Sequence, residues 1–165
     1  MRKYLIVFFM VSFNCLASNA PCDDKVYQQF DFWLGEWEVF SKDGKAVGKN
    51  SIKKQHGNCV ITEHYESSKN YTGESLNIYD KATKKWNQSW VDNSGLFLAL
   101  SGNWNGQAMV LRGERSDDNG SKVIHQIKWM PQKNGMVHQE WSVSKDQGQH
   151  WETLFYGVYK KLTSD

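Results

Sequence analysis

The chain has 165 residues, 39% hydrophobic, 23% charged and 14% aromatic, with eight Trp and two Pro. That length and composition fit one globular domain and exclude a disordered tail. Lys and Arg outnumber Asp and Glu by 20 to 18. Arg2 and Lys3 fall in a segment read below as removed, which leaves 18 against 18 and no basic field for nucleic acid or an anionic membrane surface.

Met1-Arg2-Lys3 is basic, Tyr4 to Phe13 is almost wholly apolar, and small residues follow at Ala17, Ser18 and Ala20. This order predicts a secretory signal peptide over 1–20, with a single domain over 21–165. The apolar run is shorter than the about 20 residues of a membrane-spanning helix, so an N-terminal anchor is the weaker reading. Pro21 is an awkward residue to follow a cleavage site, so cleavage after Ala17 or Ser18 competes with cleavage after Ala20. Neither Cys15 nor Cys22 has the small residues before it that a lipoprotein site needs. The expected location is periplasmic or secreted, with no membrane attachment once the signal is cut.

Cys15 would leave with the signal. Cys22 and Cys59 remain, an even count for an oxidising compartment, and are read as one disulfide rather than two buried thiols. Closing a loop of that length is worth about 3–4 kcal/mol by the chain-entropy argument. After Cys22, Asp23 or Asp24 is placed to cap a short helix. Phe30, Phe32 and Trp33 would then plug one end of whatever follows.

From residue 36 onward, turn chemistry punctuates the chain at near-constant intervals. The signals are Asp43-Gly44, His56-Gly57-Asn58, Ser68 to Gly73, Asp80 to Thr83, Asn93-Ser94-Gly95, Asn105-Gly106, Asn119-Gly120, Asn134-Gly135 and Lys145 to Gly148. Asn-Gly and Asp-Gly favour the positive φ of tight hairpins. Between the signals the residues alternate: Trp86, Gln88 and Trp90 share a face, as do Val123, His125, Ile127 and Trp129, and Val137, Gln139, Trp141 and Val143. Trp151, Phe155 and Tyr159 also share parity. A period of two is the strand signature. The fold class expected is all-β, about ten antiparallel strands in sequential hairpins. Closing them into an up-and-down barrel removes two exposed edges, and a β-sandwich is the runner-up.

The run Phe30-Asp31-Phe32-Trp33-Leu34-Gly35-Glu36-Trp37-Glu38-Val39 resembles the opening motif of the DUF1579 family, bacterial proteins of unknown function. Tyr71 to Asp80, Trp86 to Asp92, and Ser144 to Gly148 with Trp151, Phe155, Gly157 and Tyr159 extend the resemblance over nearly the whole mature chain. The family is similar to the calycin, lipocalin-like barrels, whose first strand opens with a Gly-x-Trp like Gly35-Glu36-Trp37. The resemblance implies a barrel with an internal pocket and implies no reaction. The chain departs from the family pattern at Gln126 and His138, where arginines are expected. An anion held by those arginines in relatives would lose its partners here.

Parity assigns the aromatic-rich face inward, and five polar residues fall on it: Glu63, Asn77, Gln88, His125 and Gln139. Buried polar groups need partners. Five on one interior point to a hydrogen-bonded network in a filled core or to a ligand cavity, the usual content of a barrel mouth. The candidate ligand-binding residues are therefore Glu63, Asn77, Gln88, Trp90, His125 and Gln139. Of these, Glu63 and His125 also form a candidate acid–base pair. His64 and the pair His138 and Glu140 fall on the outer face, the histidines make no metal signature, and no cofactor is expected. A haem ligand at His125 is a minor alternative. There is no phosphate loop and no nucleophile elbow. Two readings stand: a barrel that binds a small, partly aromatic or polar molecule, and a cofactor-free isomerase or lyase using Glu63 or His125.

Overall fold

A computed structural model describes residues 21–162; the proposed signal peptide lies outside them. Ten strands follow two short 3-10 helices, Lys25–Gln28 and Asp31–Trp33. The strands are β1 (Gly35–Ser41), β2 (Ala46–Gln55), β3 (Val60–Ser67), β4 (Thr72–Asp80), β5 (Lys85–Asp92), β6 (Phe97–Trp104), β7 (Met109–Ser116), β8 (Lys122–Pro131), β9 (Val137–Ser144) and β10 (Glu152–Lys161). Each pairs antiparallel with the next, and β10 pairs with β1 through Val39 opposite Tyr159, which closes the barrel. Closure gives every strand a neighbour on both sides, which is the physical reason for this topology over an open sheet.

The Gly residues of the turn signals supply the left-handed backbone, but the Asn before them does not. Gly120 has φ +78° and Gly135 has φ +80°. The Gly120 N–H donates to the Asp117 carbonyl at 2.9 Å and the Asp117 N–H to the Ser121 carbonyl at 2.8 Å. Gly135 repeats this arrangement on Gln132. These are type I turns closed by a glycine bulge, rather than two-residue hairpins with two left-handed residues. Asp117 Oδ1 also accepts the Asn119 and Ser121 N–H groups, which fixes the turn from its first residue.

The expected short N-terminal helix is present as two consecutive 3-10 turns. Asp24 sits at the first cap position without a side-chain cap bond, and Asp23 instead accepts the Asn58 amide. The segment is held by the Cys22–Cys59 disulfide and by Lys54 on Asp31 at 2.8 Å. It seals one end of the barrel. Phe30 and Trp33 are fully buried. Phe30 stacks on Trp33 at 4.9 Å and meets Trp86 and Trp129 edge-on from the walls. Trp37 Nε1 donates to the Trp33 carbonyl at 2.8 Å, which ties the seal to the first strand. Each such buried ring contributes about 2–3 kcal/mol by area alone.

The inward faces follow the period of two: Ile61, Glu63 and Tyr65 on β3, Ser75 and Asn77 on β4, Trp86 and Gln88 on β5, and Ile127 and Trp129 on β8 are all buried. Trp151 is the exception. The register of β10 against β9 slips between Thr153 and Phe155. That bulge keeps Phe155 and Tyr159 inward and turns Trp151 to the outside, where the Arg112 guanidinium lies 5.3 Å from its ring. One inserted residue reverses parity for everything before it.

Candidate functional site

At the end opposite the aromatic seal the barrel opens onto a cavity of about 530 Å³. Its walls are Tyr65, Trp90, Leu98, Ile127, Trp141 and Phe155, and its floor is Glu63, Gln88, Gln139 and Tyr159. The rim comes from the β3–β4 loop, the β5–β6 turn and the start of β10. Antiparallel pairing puts the floor residues together: Glu63 is opposite Ser75, Ser75 opposite Trp90, and Asn77 opposite Gln88.

The floor is a directed hydrogen-bond network. Asn77 Nδ2 and Gln88 Nε2 both donate to Ser75 Oγ, at 2.9 and 3.3 Å. That leaves the Ser75 proton for Glu63 Oε2, at 2.6 Å. Asn50 Nδ2 donates to Glu63 Oε1 at 2.8 Å. Both oxygens of Glu63 therefore accept, the pattern of an ionised carboxylate. Burial works the other way and dominates, and the Ser75 and Asn50 hydrogen bonds offset only part of it, so the Glu63 pKa rises to about 7. Gln88 Nε2 also donates to Asn77 Oδ1 at 3.0 Å, and the Tyr159 hydroxyl donates to Gln139 Oε1. Burial, and next the negative charge of Glu63, push the Tyr159 phenol well above its ordinary pKa, so it stays protonated. Two oxygens in this layer, Asn50 Oδ1 and Gln88 Oε1, have no hydrogen-bond partner among the described residues.

Asp92 organises the rim. It accepts the Tyr71 hydroxyl at 2.7 Å and Trp90 Nε1 at 3.0 Å on one oxygen, and the Ser94 hydroxyl and N–H on the other. Burial opposes ionisation, but the bonds from Ser94, Trp90 and Tyr71 prevail and hold the carboxyl at about 2. The Trp90 ring lies flat over Gly73, where a Cβ would fall 2.2 Å from it. Gly73 thus makes room for one aromatic wall.

The sequence-selected residues divide. Glu63, Gln88, Trp90 and Gln139 line the cavity. Asn77 is fully buried and bonded to Ile61, Ser75 and Gln88, so it braces the floor without lining it. His125 accepts Trp141 Nε1 at 3.0 Å on Nδ1. It borders a separate crevice of about 180 Å³ with Val123, Val143 and Arg115. Burial, and next the Arg115 charge, lower its pKa and keep it neutral. Gln126 and His138, the two departures from the family pattern, engage Arg112 Nε and the Tyr156 hydroxyl away from the cavity. Among the described residues no group of three or more His, Cys, Asp or Glu is placed to hold a metal ion.

Sequence reasoning missed Asn50 and the site role of Tyr159. Asn50 shares parity with Ile52, yet β2 carries too few apolar residues for its inner face to stand out. The chain matches no protein-family model, and no curated protein matches it.

Proposed function

We propose that this protein is an exported barrel that binds one small molecule, a flat apolar body with a polar group, through its open end. The observation that carries the reading is the asymmetry of the interior. One end is sealed by the buried rings of Phe30, Trp33, Trp86 and Trp129. The other keeps about 530 Å³ between aromatic walls above a pre-bonded polar floor. Cavities of this size and lining suit drug-sized ligands. The basic-then-apolar N-terminal sequence and the Cys22–Cys59 bridge support export to an oxidising compartment. Membership of the DUF1579 family belongs to the same proposal.

The test is a neutral hydrophobic dye, N-phenyl-1-naphthylamine, with mass spectrometry of what leaves the natively purified protein on denaturation. The dye is expected to bind with micromolar affinity and to be displaced by the released molecule. Leu98→Trp, which fills the cavity from one wall, is expected to weaken dye binding about tenfold or more. Dye binding unchanged by Leu98→Trp places the dye elsewhere and overturns the reading.

A second reading is supported by the Glu63 pKa of about 7: a cofactor-free isomerase or lyase with Glu63 as acid and base. His125 has no part in it, being outside the cavity. Conversion of the bound molecule on incubation, reduced about 100-fold in Glu63→Gln, would support the enzyme. Release of the molecule unchanged would support binding alone.

A further inference from the structure

The cavity floor carries a buried carboxyl without a counter-ion among the described residues. Glu63 is 5% exposed and lines the cavity, and its partners are neutral amide and hydroxyl donors from Asn50 and Ser75. A lone buried carboxylate is costly, and proteins ordinarily pair it.

Most of the donors around the cavity are already committed. Trp90 Nε1 and the Tyr71 hydroxyl go to Asp92, and Trp141 Nε1 goes to His125. The Tyr159 hydroxyl goes to Gln139 and the Tyr65 hydroxyl to the Val47 carbonyl. With their N–H groups spent on the protein, Trp90 and Trp141 offer ring faces. Among the charged groups lining the cavity, Glu63 and Asp92 are carboxylates, and the cation Lys69 is exposed in the β3–β4 loop at the rim. Next to Glu63, Asn50 Oδ1 and Gln88 Oε1 are unpartnered acceptors. The interior is thus rich in acceptors and π-faces, and most of its donors are spent, the Gln139 amide on the floor excepted.

We propose that the ligand is a small organic cation, a primary or secondary amine on a flat apolar body, whose ammonium group pairs with Glu63 while the Trp90, Trp141 and Phe155 rings enclose the rest. This deepens the pocket reading and rests on it. The ammonium supplies the missing counter-charge and donates to the carboxylate. The rings attract it through their negative faces. An anion would meet Glu63 head-on and find few free donors.

Three probes share one body and differ in head group: 2-phenylethylamine, 2-phenylethanol and 3-phenylpropionate. Calorimetry at about pH 8 keeps Glu63 ionised and the amine charged. The amine is expected to bind about 30-fold tighter than the alcohol, with the acid weakest. Glu63→Gln is expected to reduce the amine's advantage to about threefold or less and to leave the alcohol nearly unchanged. A second arm needs no variant. Protonation of Glu63 competes with the ammonium, so amine affinity should fall towards about tenfold per pH unit below about pH 7, while alcohol affinity stays flat. Tyr65 and Tyr159, the other titratable groups facing Glu63, have raised pKa values and stay neutral across that range. Alcohol or acid binding as tightly as the amine overturns the proposal, as does an amine affinity that is flat with pH. Failure of all three probes while the naphthylamine dye still binds removes the cation and keeps the pocket. Failure of the dye as well removes both.

Discussion

Replacing Glu63 by Gln should stabilise the ligand-free protein above neutral pH. In the fold the carboxyl titrates at about 7, against 4.5 for the ordinary side chain. Between those values the native state holds a proton that the unfolded chain releases, so stability falls as pH rises through this window. Below it both states are protonated and nothing is lost. Above it the full cost applies, about 3 kcal/mol at about 1.4 kcal/mol per pH unit. Gln removes the titration, and Asn50 can accommodate it by turning its unpartnered Oδ1 toward the new NH₂. Urea unfolding of parent and variant at about pH 5, 6, 7 and 8 should therefore give a stability difference that moves in the variant's favour by about 2–3 kcal/mol as pH rises. Taking the difference cancels the titrations common to both proteins, among them His64, which is raised by Glu66 and Glu74, and His125, which is lowered by burial. A difference flat with pH, or one moving towards the parent, would refute the buried, uncompensated carboxyl and the site built on it.

Reduction of the Cys22–Cys59 bridge should lower the melting temperature by about 10 °C, from about 3–4 kcal/mol of lost loop constraint; calorimetry with and without reductant checks it, and an unchanged melt would count against the bridge. Gly73→Ala should cost about 2 kcal/mol or more and weaken dye binding, because its Cβ would fall 2.2 Å from the Trp90 ring and displace that wall. Wild-type affinity in that variant would show that Trp90 does not shape the cavity. Trp33→Ala should cost about 3–5 kcal/mol by opening a void in the sealed end, read by urea unfolding. A loss below about 1 kcal/mol would mean the seal contributes little to the fold.

Side-chain parity and turn chemistry carried the fold, because β8 and β9 alternate cleanly and each hairpin has its own glycine or short polar run. They carried the floor less well, for a geometric reason. Parity tells which wall face a residue occupies, not its height along the barrel or its position around it. Asn77 and Gln88 were legible as neighbours since one turn joins their strands, and they do bond at 3.0 Å. Glu63 and His125 share the inner face, yet they come from β3 and β8, on different parts of the circumference. The Trp141 ring takes the cavity wall in front of His125. Trp151 was misplaced by a bulge, which leaves no mark in composition. Asn50 was invisible because β2 buries polar atoms where other strands bury rings. What made the site legible at all was excess: polar residues on a face that, for stability alone, should be apolar. The binding proposal draws on the same excess. The network ends, beside the cavity, at a carboxylate with no counter-ion among the described residues and at two unpartnered carbonyl oxygens. A bound ammonium group would supply the missing counter-charge, which is the case for the cation proposed above.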